Sequence, residues 1–153
     1  MSALLNKPSS QINQMSTFTL HPQLESDSFF IRDLPLSQLR LSNQKNAPWL
    51  VLVPRRPDIQ EIFQLTADDR AQLMEEITQV SQALMTLYAP DKINVGALGN
   101  IVPQLHVHVI ARFKTDEAWP HAIWGKLEPA PYTANAVKAI KDRLNDEKLR
   151  LFS

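Results

Sequence analysis

The run Pro103-Gln-Leu-His-Val-His-Val-Ile-Ala-Arg-Phe113 alternates almost without interruption. Leu105, Val107, Val109, Ala111 and Phe113 fall on one side of an extended chain, and Gln104, His106, His108, Ile110 and Arg112 on the other. A strand repeats every two residues, so both imidazoles project to the same side, flanked by an amide and a guanidinium. The apolar set faces a core, which turns the Gln/His/His/Arg side toward solvent, a cleft or a partner. Just upstream, Lys92-Ile-Asn-Val-Gly-Ala-Leu98 reads as another strand. Gly96 and Gly99 stand ahead of the two histidines and are two of only three glycines in the chain. Glycine this scarce, placed three residues apart, marks a sharp bend or a close approach to the backbone.

Further upstream the text is also strand-like. Phe18 and Leu20 alternate with polar neighbours, and Ser28-Phe-Phe-Ile-Arg32 and Leu34-Pro-Leu-Ser-Gln-Leu-Arg-Leu41 are further candidate strands. Asn43-Gln-Lys-Asn-Ala-Pro48 is a turn cluster, after which Trp49-Leu-Val-Leu-Val-Pro54 reads as a buried strand ended by proline. Thr66-Ala-Asp-Asp opens a helix, with threonine as its cap and two acids at its positive end. Leu73, Ile77, Val80, Leu84 and Leu87 form its apolar stripe, and Pro90 follows it. A second helix is expected from about Thr133 to Leu149, with Val137, Ile140 and Leu144 on one face. Strands joined by short turns, with the helices set apart, predict an α+β fold: an antiparallel sheet of about five strands with two main helices.

Composition bounds the chemistry. In 153 residues there are 16 basic and 16 acidic side chains, 44% hydrophobic residues and no cysteine. That length buries enough surface for one domain, expected over residues 17–153, behind a flexible polar arm at 1–16. The lack of cysteine excludes thiolate metal sites, cysteine nucleophiles and disulfides. Zero formal charge argues against a non-specific nucleic-acid binder. No apolar run approaches the ~20 residues of a membrane helix, and the N-terminal text lacks a secretory pattern, so a cytoplasmic protein without membrane partners is expected.

Three readings of His106 and His108 compete. They are ordinary polar residues on a wet sheet face, or two imidazoles of a metal site, or catalysts of phosphoryl chemistry. A metal site lacks an obvious third ligand, since no Asp or Glu lies between Lys92 and Lys114, and His21 and His121 are distant in sequence. A neutral imidazole is a competent nucleophile toward phosphorus, and a second can shuttle a proton or stabilise charge. Arg112 and the amides after Gly99 are candidates for the phosphate oxygens.

The stretch Asn94-Val-Gly-Ala-Leu-Gly-Asn-Ile-Val-Pro-Gln-Leu-His-Val-His-Val-Ile110 resembles the signature of the histidine triad (HIT) superfamily, in its bacterial Gln-φ-His-φ-His version, where φ is apolar. Pro48-Trp-Leu-Val-Leu-Val-Pro-Arg-Arg56 resembles the family's upstream strand, and the similarity covers about residues 17–113. The resemblance implies a HIT-like fold and a nucleotidyl hydrolase or transferase. Such an enzyme acts at the α-phosphate of a nucleoside phosphoramidate, dinucleoside polyphosphate or nucleotide conjugate, through a covalent nucleotidyl-histidine and without a metal or other cofactor. By position, His106 matches the nucleophile and His108 the histidine that binds phosphate and leaving group. Gln104 matches the first histidine of the triad, and Asn94, Gly99 and Asn100 match the phosphate site. Trp49 stands where many members have a histidine, and Asn100 where Gln is usual. No acid matches the ribose contact; Leu41 or Ser42 falls nearest. A homodimer binding a small-molecule nucleotide is implied too. The alternative on the same scaffold is a nucleotide-binding or regulatory protein with weak or no turnover.

Several other residues read as structural. His21 and His121 have no assigned chemistry, Arg55 and Arg56 are solvated charges after a buried strand, and Trp119 and Trp124 cover apolar surface or stack on a base.

Overall fold

The computed structural model describes residues 17–152, so the arm expected at 1–16 lies outside the described residues. Ser28–Asp33 (β1), Ser37–Ser42 (β2), Trp49–Pro54 (β3), Lys92–Gly96 (β4) and Val107–Arg112 (β5) form one sheet in the order β1-β2-β3-β5-β4. Every neighbouring pair is antiparallel. The helices are Pro22–Asp27 (α1), Ala67–Tyr88 (α2) and Ala134–Leu144 (α3). The fold is α+β with a five-stranded antiparallel sheet, as the residue pattern predicts.

Long helix α2 begins where its cap says it should: the Thr66 side chain accepts from the Asp69 amide. Its Leu73, Val80 and Leu84 pack on Leu39, Leu41, Leu50, Leu52, Val107 and Val109, which form one face of the sheet. Burying each such side chain contributes roughly 1.5–3 kcal/mol. Glu76 lies on the same helix face, wholly buried, and its Oε1 accepts from the amides of Leu36 at 2.6 Å and Ser37 at 3.3 Å. A carboxylate thus holds the β1–β2 turn against the core.

The elements differ from expectation at several places, and the strand expected over Leu34–Leu41 begins only at Ser37. Thr17–Leu20 pairs with no strand; Gln104 meets its backbone instead, donating from Nε2 to the Thr19 carbonyl. Residues 22–27 form a short helix, α1, with Pro22 in its first turn and the His21 ring as its cap, accepting from the Gln23 amide at 3.1 Å. Strand β5 starts at Val107 rather than Pro103, because proline has no N–H to give and the Leu105 amide bonds Ile59 instead. Helix α3 stops at Leu144, and Glu147–Leu149 is a separate 3₁₀ turn.

The sheet's other face carries the histidines. Register places Val51 and Gly96 beside His108, and Trp49 and Asn94 beside Ile110. Two small apolar clusters cover this face. One gathers Leu24 of α1 with Val51, Val53 and Val102, and the other gathers Ala47, Ile110, Ala118 and Ile123. Among the described residues no helix is long and apolar enough to cross a membrane.

Candidate active site

Between those two clusters opens a cleft of about 600 Å³, and His106 and His108 both line it. Their rings lie 4.9 Å apart, edge to face. His106, only 8% exposed, comes from the loop just before β5, and its Nδ1 lies 2.7 Å from the main-chain oxygen of Gln104. A carbonyl can only accept, so Nδ1 carries a proton, and in the neutral ring Nε2 keeps a free lone pair. His108 has the opposite tautomer. Trp49 Nε1–H donates to its Nδ1 at 2.9 Å, which leaves the single proton of a neutral ring on Nε2.

Burial keeps that ring neutral. Desolvation first, and then the positive charge that His106 can carry, push the His108 imidazole down to about 4 from its ordinary 6.5. Trp49 at 5.5 Å and Trp124 at 5.8 Å enclose it edge-on. Room for Trp124 depends on Gly96: a Cβ there would lie 2.9 Å from Trp124 Cη2. Gly99 turns the following loop at φ 66°, in the left-handed region. The two glycines thus serve one close approach and one bend.

Gly99 and Asn100 line the cleft beside the histidines. Among the described residues no protein group accepts from the amides of Gly99, Asn100 and Ile101. The opposite wall comes from α1, through Gln23, Leu24 and Asp27, with Ser28 and Ser42 beneath. Asp27 is a lining residue that the sequence does not single out, and Trp124, read there as covering apolar surface or stacking on a base, lines the cleft as well. A six-residue helix is too short to show periodicity, and nothing local to Trp124 signals contact with β5.

Three residues read as part of the site lie elsewhere. Arg112 shares the histidine face but is 1% exposed and fully committed. Its Nε and Nη2 bond the two Asp116 oxygens at 2.8 and 3.0 Å, and its Nη1 bonds Asn94 Oδ1 at 2.8 Å. Neither Arg112 nor Asn94 lines the cleft, and the pair braces the loop after β5 through Asp116. The Gln104 side chain also turns away, into a separate hollow of about 370 Å³. Its Oε1 accepts from the His21 amide at 2.8 Å while Nε2 donates to the Thr19 carbonyl at 2.8 Å. Only the main-chain oxygen of Gln104 touches the nucleophile candidate.

His21 serves as the α1 cap and His121 is exposed. Arg56 forms a two-pronged pair with Asp69 at 2.7 and 2.8 Å, and Arg55 donates to the carbonyls of Leu34, Pro35 and Leu36. Among the described residues no group of three or more His, Asp or Glu is gathered to hold a metal ion.

Comparison with known proteins agrees with this architecture. The HIT domain family profile matches residues 23–115. A histidine triad protein from Bradyrhizobium japonicum is 44% identical over 90% of this chain and 100% of its own, with a TM-score of 0.84. Another from Sinorhizobium meliloti 1021 is 46% identical over 85% of this chain and 96% of its own, with a TM-score of 0.82. A third, from Marinobacter aquaeolei VT8, is 39% identical over 90% of this chain and 100% of its own, with a TM-score of 0.85. No curated protein matches the chain. The cleft over β5, its paired imidazoles and these matches lead to one assignment: the chain belongs to the histidine triad, or HIT domain, family.

Proposed function

We propose that the cleft binds a nucleotide and that His106 attacks its α-phosphate, making the protein a nucleotidyl hydrolase or transferase. The observation that carries this reading is the His106 tautomer. A lone pair on Nε2, held in a cleft of about 600 Å³ by a main-chain bond behind the ring, is a nucleophile prepared before substrate arrives. In the first step a bond forms between Nε2 and phosphorus, and the bond from phosphorus to the leaving group breaks. Water then attacks phosphorus, the N–P bond breaks, the water proton passes to solvent, and nucleoside monophosphate departs. His108 Nε2–H and the unpaired amides of Gly99, Asn100 and Ile101 are donors for the charge that builds on the phosphate oxygens. Leu24, Val51, Val102 and Trp124 give a base apolar surface, and Asp27 and Ser42 are acceptors suited to sugar hydroxyls.

Rapid quench during turnover of a dinucleoside polyphosphate tests this directly. Mass spectrometry is expected to find a nucleotidyl adduct on His106, formed without added metal. Ligand-induced thermal stabilisation with neither adduct nor turnover supports the regulatory alternative instead.

For assembly we infer a homodimer. Strand β4 is one of the two outer strands of the sheet, and Val95 on it is 48% exposed. Light scattering is expected to give twice the chain mass for the native protein and the single mass for Val95→Lys. A monomeric native protein at micromolar concentration overturns the inference.

A further inference from the structure

We propose that Trp49 restricts this site to leaving groups that depart as anions without taking up a proton, phosphate oxygens of a phosphoanhydride above all, and that it disfavours amine leaving groups. The inference rests on the nucleotidyl-transfer reading and selects among the leaving groups which that reading admits.

The Trp49 indole N–H points at His108 Nδ1 from 2.9 Å, so the only proton of that neutral ring is on Nε2. Giving it up would leave an imidazolate, and the nearby guanidinium of Arg112 is already taken by Asp116 and Asn94. Becoming an acid in the ordinary way would require a second proton on Nδ1, where an N–H donor already points. The downward shift of His108 to about 4 agrees with this. His108 therefore donates a hydrogen bond and keeps its proton.

Among the described residues no other group replaces it. His106 Nδ1–H is donated to the Gln104 main-chain oxygen, and the Gln104 side-chain amide faces the other way. Among the described residues Asp27 is the one Asp, Glu, Lys or Arg lining the cleft, and both its oxygens accept hydrogen bonds, from Gln23 Nε2 and Ser26 Oγ. When a phosphoanhydride is cleaved, the electron pair of the broken P–O bond stays on an oxygen that is stable as an anion. His108 Nε2–H need only stabilise it. An alkylamine must leave with an added proton, which this cleft does not supply.

General acid catalysis is worth roughly 10²–10⁴-fold where a leaving group needs it. The native protein is accordingly expected to favour a dinucleoside polyphosphate over an alkylamine phosphoramidate of the same nucleoside by about 10²-fold or more in kcat/KM. In Trp49→Phe the ratio is expected to narrow by about tenfold, as Nδ1 becomes free to take a proton. Nitrogen NMR of His108 is expected to show the proton on Nε2 in the native protein and both tautomers in Trp49→Phe. A series of aryl esters of the nucleoside monophosphate needs no variant: native rates are expected to fall steadily as the departing phenol becomes more basic. Equal cleavage of anhydride and amine substrates, or an unchanged ratio in a folded Trp49→Phe whose His108 proton has moved, overturns the proposal alone. Turnover of neither class, with no adduct at His106, overturns the nucleotidyl-transfer reading and this inference with it.

Discussion

His106→Ala is expected to abolish nucleotide turnover while leaving nucleotide binding nearly intact. Loss of a covalent nucleophile in other enzymes costs on the order of 10⁴-fold or more in kcat, and nothing in this cleft takes over the role. His108 cannot, because Nδ1 is occupied by Trp49 and Nε2 holds a proton rather than a lone pair. Water attacking directly would be a weaker nucleophile than imidazole and would lack the two-step path. The proposed nucleotide contacts lie on other walls, on α1, the Gly99–Val102 loop and Trp124, so affinity for a nucleoside monophosphate is expected to change only a few-fold. Steady-state turnover and calorimetric titration of the same preparation separate the two effects. A variant that keeps more than about a tenth of native kcat would show that His106 positions substrate rather than attacking it.

Asp116→Ala is expected to be the most damaging substitution outside the cleft. The Arg112 side chain is 2% exposed and that of Asp116 9%, and two parallel bonds join them. Asp116 also accepts from the Phe113 amide, and the Trp119 ring lies 5.8 Å from the guanidinium. Removing the carboxylate strands a buried cation with one amide oxygen for company, a change that costs about 3–5 kcal/mol in comparable pairs. For a chain of this length that corresponds to a fall of roughly 6–20 °C in Tm. Replacing both partners together, as Arg112→Met with Asp116→Leu, is expected to recover much of the loss, since neither charge is then stranded. The guanidinium bond holds the Asp116 carboxyl below its ordinary 3.8. Its share of stability is therefore complete above that pH and is lost as acid protonates the folded protein below it. Thermal melts of native and variant proteins check both statements, and a Tm within a degree or two of native would sink the account.

These cases also show what alternation in a sequence can and cannot tell. Trp49–Pro54 is legible to the residue because five apolar or aromatic positions run up to a proline. The start of α2 is equally plain from its threonine cap. Period two correctly puts His108, Ile110 and Arg112 on one face, but it is silent on what covers that face. Arg112 therefore reads as a phosphate ligand until Asp116 is seen beside it. Asp116 carries no local sign of that pairing, because the ladder ends between the two residues. Gln104 misleads for a related reason. It precedes the strand, so its side chain need not follow the strand's alternation, and its partners lie 83 and 85 residues away. Helix α1 escapes notice because its signal is a single turn begun by a histidine cap.

Residue 104 answers to two masters at once. Its carbonyl keeps the His106 ring in register, a service any amino acid can perform, whereas its carboxamide latches the strand-like lead into α1 by giving at Thr19 and receiving at His21. An acid in that place could receive but not give, and an ammonium could give but not receive. Substitution here is thus limited by the wall that α1 gives the cleft, while the support of the His106 ring comes from the main chain of the same residue.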